Sequence, residues 1–423
     1  MKTMTKRLTT RVAVLATTVL VAATTGCGLQ DGLLEVENPN VIDAREIDPA
    51  RDADLLAGST MQDFAAAYPW QIFYTSYFTG EMMGADIGSS INRAARRDFQ
   101  GEEGGLTTIF GRMNISRTSA ESLLEVLAGV AGQEQNTAVA STVAGYSFLM
   151  LAETFCRATV AEGPAIDPPA LLDSAVVHLT NAISVGRSAG TMAADSFANA
   201  ALVGRARAHL QAGRTSEALA DASSVPAGFQ FDVTYVSDLA DRSTEDPRVG
   251  NPLYDHTYDG DKSLSVAPAF RLDDPRVRAI PPEEHGIPAR DGVTPYWTQT
   301  KYTAWDAPIR LASKLLADYI AAEAQGTSAM LDMIQARRMA NDQPAYDGAM
   351  DAQSVLGEFL WQKSLDFYFE GTRMADSRRH PAAIRAMPVP GAEYHKQPFD
   401  PIRDQTCFPI PDSEIDNNPN LSG

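Results

Sequence analysis

Apolar side chains recur three and four positions apart through much of the chain, which is the spacing of one face of an α-helix. The clearest run goes from Leu171 to Ile183, and a second goes from Ala198 to Leu210 before Gly213 interrupts it. A short helix is predicted next, from Glu217 to Ala222. Successive helices joined by short breaks of this kind predict helical hairpins packed side by side.

Further helices are predicted at both ends of the chain. One runs from Asp52 to Tyr68, where Pro69 is expected to stop it because proline cannot donate a backbone hydrogen bond. Another begins at Asp306, with Pro308 in its first turn, and a partner helix follows Gly326. A last helix is predicted from Asp351 to Arg379.

The segment from about Val225 to Pro308 differs from the rest of the chain. Proline, glycine and aspartate are frequent there, and the helical spacing disappears, although Phe229 to Val236 fits a short strand. We therefore predict a mostly α fold with a large loop-rich insert at about 225–308. A long irregular segment inside a compact domain is usually functional, which directs attention to this insert.

The second predicted hairpin contains several small alanine residues and one glycine. The segment 206–219 resembles part of a tetratricopeptide repeat, in which alanines let paired helices approach closely. The predicted hairpins are therefore tetratricopeptide-like.

The first residues have the pattern of an export signal. Basic residues precede an apolar run at 12–23, and small residues lead to Cys27, which resembles a bacterial lipoprotein processing site with Thr24 in place of the usual leucine. We expect a signal peptide at 1–26, a lipidated tether at 27–40 that begins with acylated Cys27, and a single domain at 41–423. Plain secretion is the alternative.

Two cysteines remain after Cys27, namely Cys156 and Cys407. An exported chain with an even number of remaining cysteines favours a disulfide between them. Two buried thiols that act as small apolar side chains are the alternative.

Charge and missing motifs exclude several functions. The formal net charge of −19 argues against a nucleic-acid partner. The sequence lacks HExxH, GxSxG, phosphate-loop and dinucleotide-binding motifs, so we expect no enzyme, cofactor or metal. The acidic turn at Asp255, Asp259 and Asp261 does not have the spacing of a twelve-residue calcium loop.

Aromatic side chains cluster in two places, after Pro69 and near the end of the insert. Flat rings suit sugars, whose C–H faces pack on them while amides and carboxylates bond the hydroxyls. Burial of the first cluster on a helix face is the alternative, and for the second cluster exposure and burial are equally expected. The candidate ligand-binding residues are Trp70, Tyr74, Tyr296, Trp297 and Trp305 as stacking platforms, with Asp86 and Asn92 as hydroxyl partners.

Four stretches carry a resemblance to a known family. The segment 408–420, with its Pro-Ile-Pro, acidic residue and Asn-Pro pair, resembles the closing signature of the SusD/RagB-like family. The segment 370–379 is similar to the family pattern Glu-Gly-x-Arg-x-x-Asp-x-x-Arg, and 34–40 and 151–156 resemble its start and an early helix. The segment 362–366 departs from the family's usual charged run. Spacing predicts structural ion pairs of Glu370 with Arg373 and of Asp376 with Arg379.

The resemblance implies a non-catalytic lipoprotein that is anchored in the outer membrane and exposed at the cell surface. It would bind glycans or similar nutrients and deliver them to a SusC-like, TonB-dependent β-barrel transporter. Tetratricopeptide-like helical pairs are implied as well. The alternative is a lipid-anchored helical-repeat scaffold that organises envelope proteins without a small-molecule ligand, and the missing motifs disfavour a hydrolase.

Overall fold

The computed structural model describes residues 47–236 and 250–421. The predicted signal peptide, the tether and the acylated Cys27 lie outside the described residues. The elements below belong to the unit Pro49–Gly423.

Helices dominate the described residues, and the first seven follow one another closely along the chain. Each of the long ones packs on the next: α1 on α3, α3 on α4, α4 on α5, and α5 on α6. Gly145 shows why α4 and α5 come so close, because a Cβ there would lie 2.5 Å from the Leu179 side chain. The predicted hairpins are confirmed. The helices are α1 Ala53–Phe78, α2 Ser89–Ala95, α3 Gly104–Val126, α4 Glu134–Thr154, α5 Pro168–Ala189, α6 Met192–Gln211 and α7 Thr215–Ser223.

Pro69 does not end the first helix, so that prediction was wrong. Helix α1 continues to Phe78, and two side chains from elsewhere bond the carbonyls near the proline. The Tyr235 hydroxyl donates to the Ala65 carbonyl, which the missing Pro69 N–H leaves without its helical partner, at 3.4 Å. The Arg112 guanidinium donates to the Ala66 carbonyl, also at 3.4 Å. Tertiary contacts thus offset the lost bond.

The insert starts and ends in a two-stranded antiparallel ribbon. Strand β2, Gln230–Val233, pairs with a strand at Ile309–Ser313, and β2 falls within the predicted strand 229–236. The helix expected from Asp306 was therefore wrong at its start, because this pairing takes the residues up to Ser313. That serine then caps the next helix by accepting from the Leu316 N–H at 3.2 Å.

Short elements fill the insert, and one of them ties it to the first helices. Strand β3, Leu264–Val266, pairs with β1, Met82–Gly84, just after α1. The other elements include the one-turn helix α8 Pro252–Tyr254 with a π-helical turn at Asp255–Asp259, β4 Ala279–Ile280, α9 Pro282–His285, β5 Thr298–Gln299 and β6 Ile309–Ser313.

The single helix predicted from Asp351 to Arg379 is two helices in the structure. Asp351 caps the first by accepting from the N–H groups of Gln353 and Ser354. The chain then leaves the helix, since Phe369 and Gly371 adopt φ of 56° and 72°, which a right-handed helix does not allow. The C-terminal helices are α10 Lys314–Gln325, α11 Thr327–Ala340, α12 Ala352–Asp366, α13 Arg373–Arg379 and α14 Asp412–Asn417.

The break after α12 changes one predicted ion pair. Glu370 does not pair with Arg373, as spacing suggested, but with Lys301 and with Arg310, whose Nε lies 2.8 Å away. Asp376 does bond Arg379 at 2.8 Å and also Lys363 at 2.8 Å. The structure contains the expected disulfide between Cys156 and Cys407, with Cα atoms 5.1 Å apart.

Within residues 47–236 and 250–421, no helix combines the length and the apolar character needed to cross a bilayer.

Candidate ligand-binding site

The segment that begins at Gly250 is held against the end of the insert by one asparagine. The Asn251 backbone N–H donates to the Trp305 carbonyl at 2.9 Å, and its side-chain amide donates to the Ala307 carbonyl at 2.8 Å. Its side-chain oxygen accepts from the Leu253 N–H at 2.9 Å and starts α8. Asn251 is fully buried, so these bonds fix where the following turn lies relative to Trp305.

Three aromatic rings meet there. Tyr254 and Tyr258 lie about one helical turn apart, and their rings stack with centroids 5.5 Å apart. The Trp305 ring lies edge-on to Tyr254 at 5.7 Å. Gly250 permits the approach, because a Cβ at that position would lie 2.1 Å from the Trp305 ring.

Polar contacts fix the orientation of these rings. The Trp305 indole N–H donates to a carboxylate oxygen of Asp259 at 3.0 Å, and the Tyr258 hydroxyl donates to the Gln299 carbonyl. Burial, with a smaller contribution from Tyr254, raises the pKa of Tyr258, so its phenol stays protonated at neutral pH. We call Tyr254, Tyr258, Asp259 and Trp305 the aromatic patch.

The aromatic patch combines half-buried rings with an exposed acid. Rings that are held in place and only partly buried suit the apolar face of a flat ligand. A carboxylate at their edge accepts hydrogen bonds from hydroxyl groups. The arrangement is suited to binding a hydroxylated ring such as a sugar.

The two predicted aromatic residues that follow Pro69, Trp70 and Tyr74, are not part of the aromatic patch. Tyr74 is buried in the core, with its ring stacked on Phe99 at 5.4 Å, so it presents no face to a ligand. Trp70 is half-buried, with the Arg112 guanidinium 5.6 Å from its ring and the His256 ring edge-on at 5.5 Å.

The other predicted aromatics have different environments. Tyr296 is 2% exposed, and its hydroxyl donates to the Thr257 carbonyl at 2.6 Å, so it belongs to the interior. Trp297 is half-buried, with the Arg271 guanidinium 4.7 Å from its ring. Trp305 alone of the predicted set belongs to the aromatic patch.

The predicted hydroxyl partners, Asp86 and Asn92, form hydrogen bonds within the segment of chain that contains both of them. The Asn92 amide donates to the carbonyls of Asp86 and Gly88 at 2.8 and 2.7 Å, and its oxygen accepts from the Tyr394 hydroxyl at 3.0 Å. The Asp86 carboxylate accepts from the Gly88 N–H at 2.5 Å. Both residues are buried, and these contacts shape the loop.

Tyr254 and Tyr258 were missed at the sequence level. They stand four positions apart beside Asp255 and Asp259, a spacing that puts two rings on one side of a helical turn. That signal was present, but the loop-like composition of the insert hid it. Among the described residues, no three histidine, cysteine or acidic side chains converge on a point where a metal could bind.

Comparisons with known proteins address the fold. No family model matches the chain, and no curated protein sequence matches it. Solved structures do match. A SusD-like carbohydrate-binding protein from Bacteroides vulgatus superposes with a TM-score of 0.68 at 16% identity, over 88% of this chain and 97% of that one. The chain has the SusD fold.

Two further structures with the SusD fold agree. A SusD/RagB family protein from Bacteroides thetaiotaomicron gives a TM-score of 0.63 at 15% identity, over 87% of this chain and 95% of that one. A laminarin-binding SusD-like protein gives 0.59 at 14% identity, over 86% and 96%. The predicted fold class, mostly α with tetratricopeptide-like pairs, is confirmed, and the resemblance seen in the sequence extends to the architecture.

Proposed function

We propose that this chain is a non-catalytic, cell-surface lipoprotein that binds glycans or similar nutrients and delivers them to a SusC-like, TonB-dependent outer-membrane transporter. The observation that carries the ligand part is the aromatic patch, where Tyr254, Tyr258 and Trp305 meet beside Asp259. Half-buried rings suit the C–H face of a sugar, and a carboxylate at their edge suits its hydroxyl groups.

The SusD fold supports the same proposal. Structures with that fold and close to full-length overlap include one described as carbohydrate-binding and one described as laminarin-binding. The lipid anchor at Cys27 and the barrel partner rest on the sequence patterns at 24–27 and 408–420.

Replacement of Trp305 by alanine tests the ligand part. We expect the variant to bind the best of a panel of neutral oligosaccharides about tenfold more weakly, because it loses one ring of the patch. Isothermal titration calorimetry on the mature protein measures this affinity. Tyr346→Ala is the matched control, since Tyr346 is also half-buried but lies between α11 and α12.

Equal affinities of the two variants would contradict a role for the aromatic patch. Absence of binding to every oligosaccharide would favour the scaffold alternative.

Gentle detergent extraction from the native membrane tests the anchor and the partner. A TonB-dependent barrel should co-purify in stoichiometric amount and be identified by mass spectrometry. Cys27→Ser should abolish the acyl chains that mass spectrometry finds on the N-terminal peptide of the parent protein, because serine lacks the thiol that is acylated. Envelope proteins other than a barrel in the complex would support the scaffold.

A further inference from the structure

A cavity lies beside the segment that carries Trp305. It is open to solvent, has a volume of about 460 Å³ and is lined by the β2–β6 ribbon, the insert, the end of α12 and the segment that follows. Four cationic side chains line it, namely Arg276, Arg278, Lys301 and Arg310. Three acids, Asp232, Asp366 and Glu370, line it as well, so the four cations and three acids leave a formal charge of +1 in a chain whose net charge is −19.

Two of the three acids in the cavity wall are already saturated by protein partners. The Asp366 carboxylate accepts from Arg276 at 3.2 Å, from both nitrogens of the Arg337 fork at 2.7 and 2.8 Å, and from the Tyr319 hydroxyl at 2.6 Å. Glu370 accepts from Lys301 and from two nitrogens of Arg310 at 2.8 Å. Their oxygens have little capacity left for a ligand.

The third acid is Asp232, whose oxygens lie 3.0 and 2.9 Å from the Gln230 side-chain amide that donates to them. Gln230 and Asp232 both belong to β2, so this acid bonds within its own strand.

The donors are not saturated in the same way. Within residues 47–236 and 250–421, the Arg278 guanidinium has no hydrogen-bond or ion-pair partner. Arg310 donates through Nε and Nη2 to Glu370 and to the Asp366 carbonyl, which leaves Nη1 without a protein acceptor in the same residues. Arg278 and Arg310 therefore offer a ligand positive charge and N–H donors.

We propose that this cavity binds a carboxylate-bearing small ligand, and that the ligand is an acidic sugar such as a uronic acid oligomer. A guanidinium fork matches the two oxygens of a carboxylate, and Arg278 supplies such a fork, while Nη1 of Arg310 adds a single further donor. A volume of about 460 Å³ lies within the range of small-molecule sites. The cavity shares no lining residue with the aromatic patch, and only the sugar assignment rests on the proposed function.

Calorimetric titration of the full mature protein in detergent tests the proposal. Digalacturonate is the carboxylated sugar, a glutamyl-glutamate dipeptide is a carboxylated ligand without a sugar, and neutral galactobiose is the uncharged control. We expect digalacturonate to bind, with an affinity that falls as ionic strength rises. Substitutions in the cavity should leave the affinity for galactobiose unchanged. Tighter binding of the dipeptide would keep the carboxylate site and overturn the sugar assignment.

Arg278→Gln is the informative variant, because this arginine supports no other described side chain. It should weaken digalacturonate binding about tenfold or more. Arg403→Gln is the matched control, since it removes the same charge from a side chain that is 55% exposed in the C-terminal segment.

Three results would overturn the cavity proposal. The first is absence of binding of either carboxylated ligand. The second is an equal loss of affinity in Arg278→Gln and Arg403→Gln. The third is a loss in Trp305→Ala that Arg278→Gln does not share, which would move the carboxylated ligand to the aromatic patch. Neutral-sugar binding lost in Trp305→Ala, with digalacturonate binding intact, would support both sites independently.

Discussion

The Glu153 carboxylate is fully buried at the end of α4 and receives two hydrogen bonds from Arg207 of α6, at 2.7 and 2.5 Å. The two residues are 54 positions apart in the sequence. A buried pair of this kind adds little net stability, but removal of one partner leaves the other charge without compensation in the interior. The pair therefore affects the free energy of unfolding mainly when one of its two residues is replaced.

Glu153→Gln should lower the free energy of unfolding by about 3–5 kcal/mol, because Arg207 then stays charged and buried without its anion. Urea denaturation followed by circular dichroism measures the change. Asp195→Asn is the matched control: its 2.7 Å pair with Arg187 is half-exposed, and its loss should cost at most about 1 kcal/mol. Similar costs for the two variants would contradict the buried-pair argument.

Asp291 gives a pH dependence at the same scale. Burial by itself raises its pKa, but the Lys396 ammonium at 2.6 Å and hydrogen bonds from Thr294 and Val293 outweigh burial and lower that pKa to about 2. An unfolded aspartate has a pKa of about 3.9. The stabilisation from the depressed pKa is thus present above about pH 4 and is lost as the pH falls towards about 2.

The loss of stability between neutral pH and pH 3 should be smaller in Asp291→Asn than in the parent protein, because asparagine does not titrate. Chemical denaturation at the two pH values measures this. Asp347→Asn, a control outside any ion pair of the described residues, should leave the parent's pH dependence unchanged. An unchanged dependence in Asp291→Asn would contradict the assignment.

At the scale of elements, backbone conformation decides where helices end. Gly58 lies exposed inside α1, and a Cβ there would meet nothing within 4 Å. Gly371 lies between α12 and α13 with φ of 72°, and a Cβ there would lie 3.0 Å from Gln71. The structure therefore has room for an alanine side chain at Gly58, whereas at Gly371 both the backbone conformation and the space disfavour one.

Gly371→Ala should destabilise the protein by about 1–3 kcal/mol through left-handed strain and the close contact. Gly58→Ala should stabilise it by up to about 1 kcal/mol, because alanine favours the helix. Thermal unfolding of both variants measures the two signs. A Gly371→Ala protein as stable as the parent would show that the segment between the helices relaxes freely.

At the scale of the whole molecule, one covalent link joins the helical half to the C-terminal segment. The Cys156–Cys407 disulfide spans 251 residues, and beside it Cys156 donates its backbone N–H to the Phe408 carbonyl at 2.8 Å. The Phe408 ring packs on Phe78, Phe99 and Phe155. The closing segment is therefore part of the core and not an appendage.

Cys156→Ser/Cys407→Ser should lower the free energy of unfolding by about 2–5 kcal/mol, because the link restricts the unfolded chain across a long loop. Denaturation of parent and variant under non-reducing conditions measures it. Non-reducing peptide mapping should find the two cysteines joined. Free thiols in freshly exported protein would contradict the link.

Helices that depend on the spacing of nearby apolar residues could be predicted from the sequence. The helices α5, α6 and α7 follow from three- and four-residue spacing, and the fold class follows from them together with the segments 370–379 and 408–420. The candidate site was not predictable to the same extent. Trp305 was named, but Tyr254 and Tyr258 come beside it through contacts between distant residues, among them the bonds that Asn251 makes across the insert.

The sequence by itself determined the periodic helices and the irregular character of the insert, because both are local properties of a few consecutive residues. Only the tertiary structure decided that α1 passes through Pro69, that Glu370 pairs with Lys301 and Arg310, and which aromatic rings reach the surface. Those outcomes depend on contacts between residues far apart along the chain. Such contacts can outweigh a local preference of about 1–3 kcal/mol, and spacing alone does not reveal them.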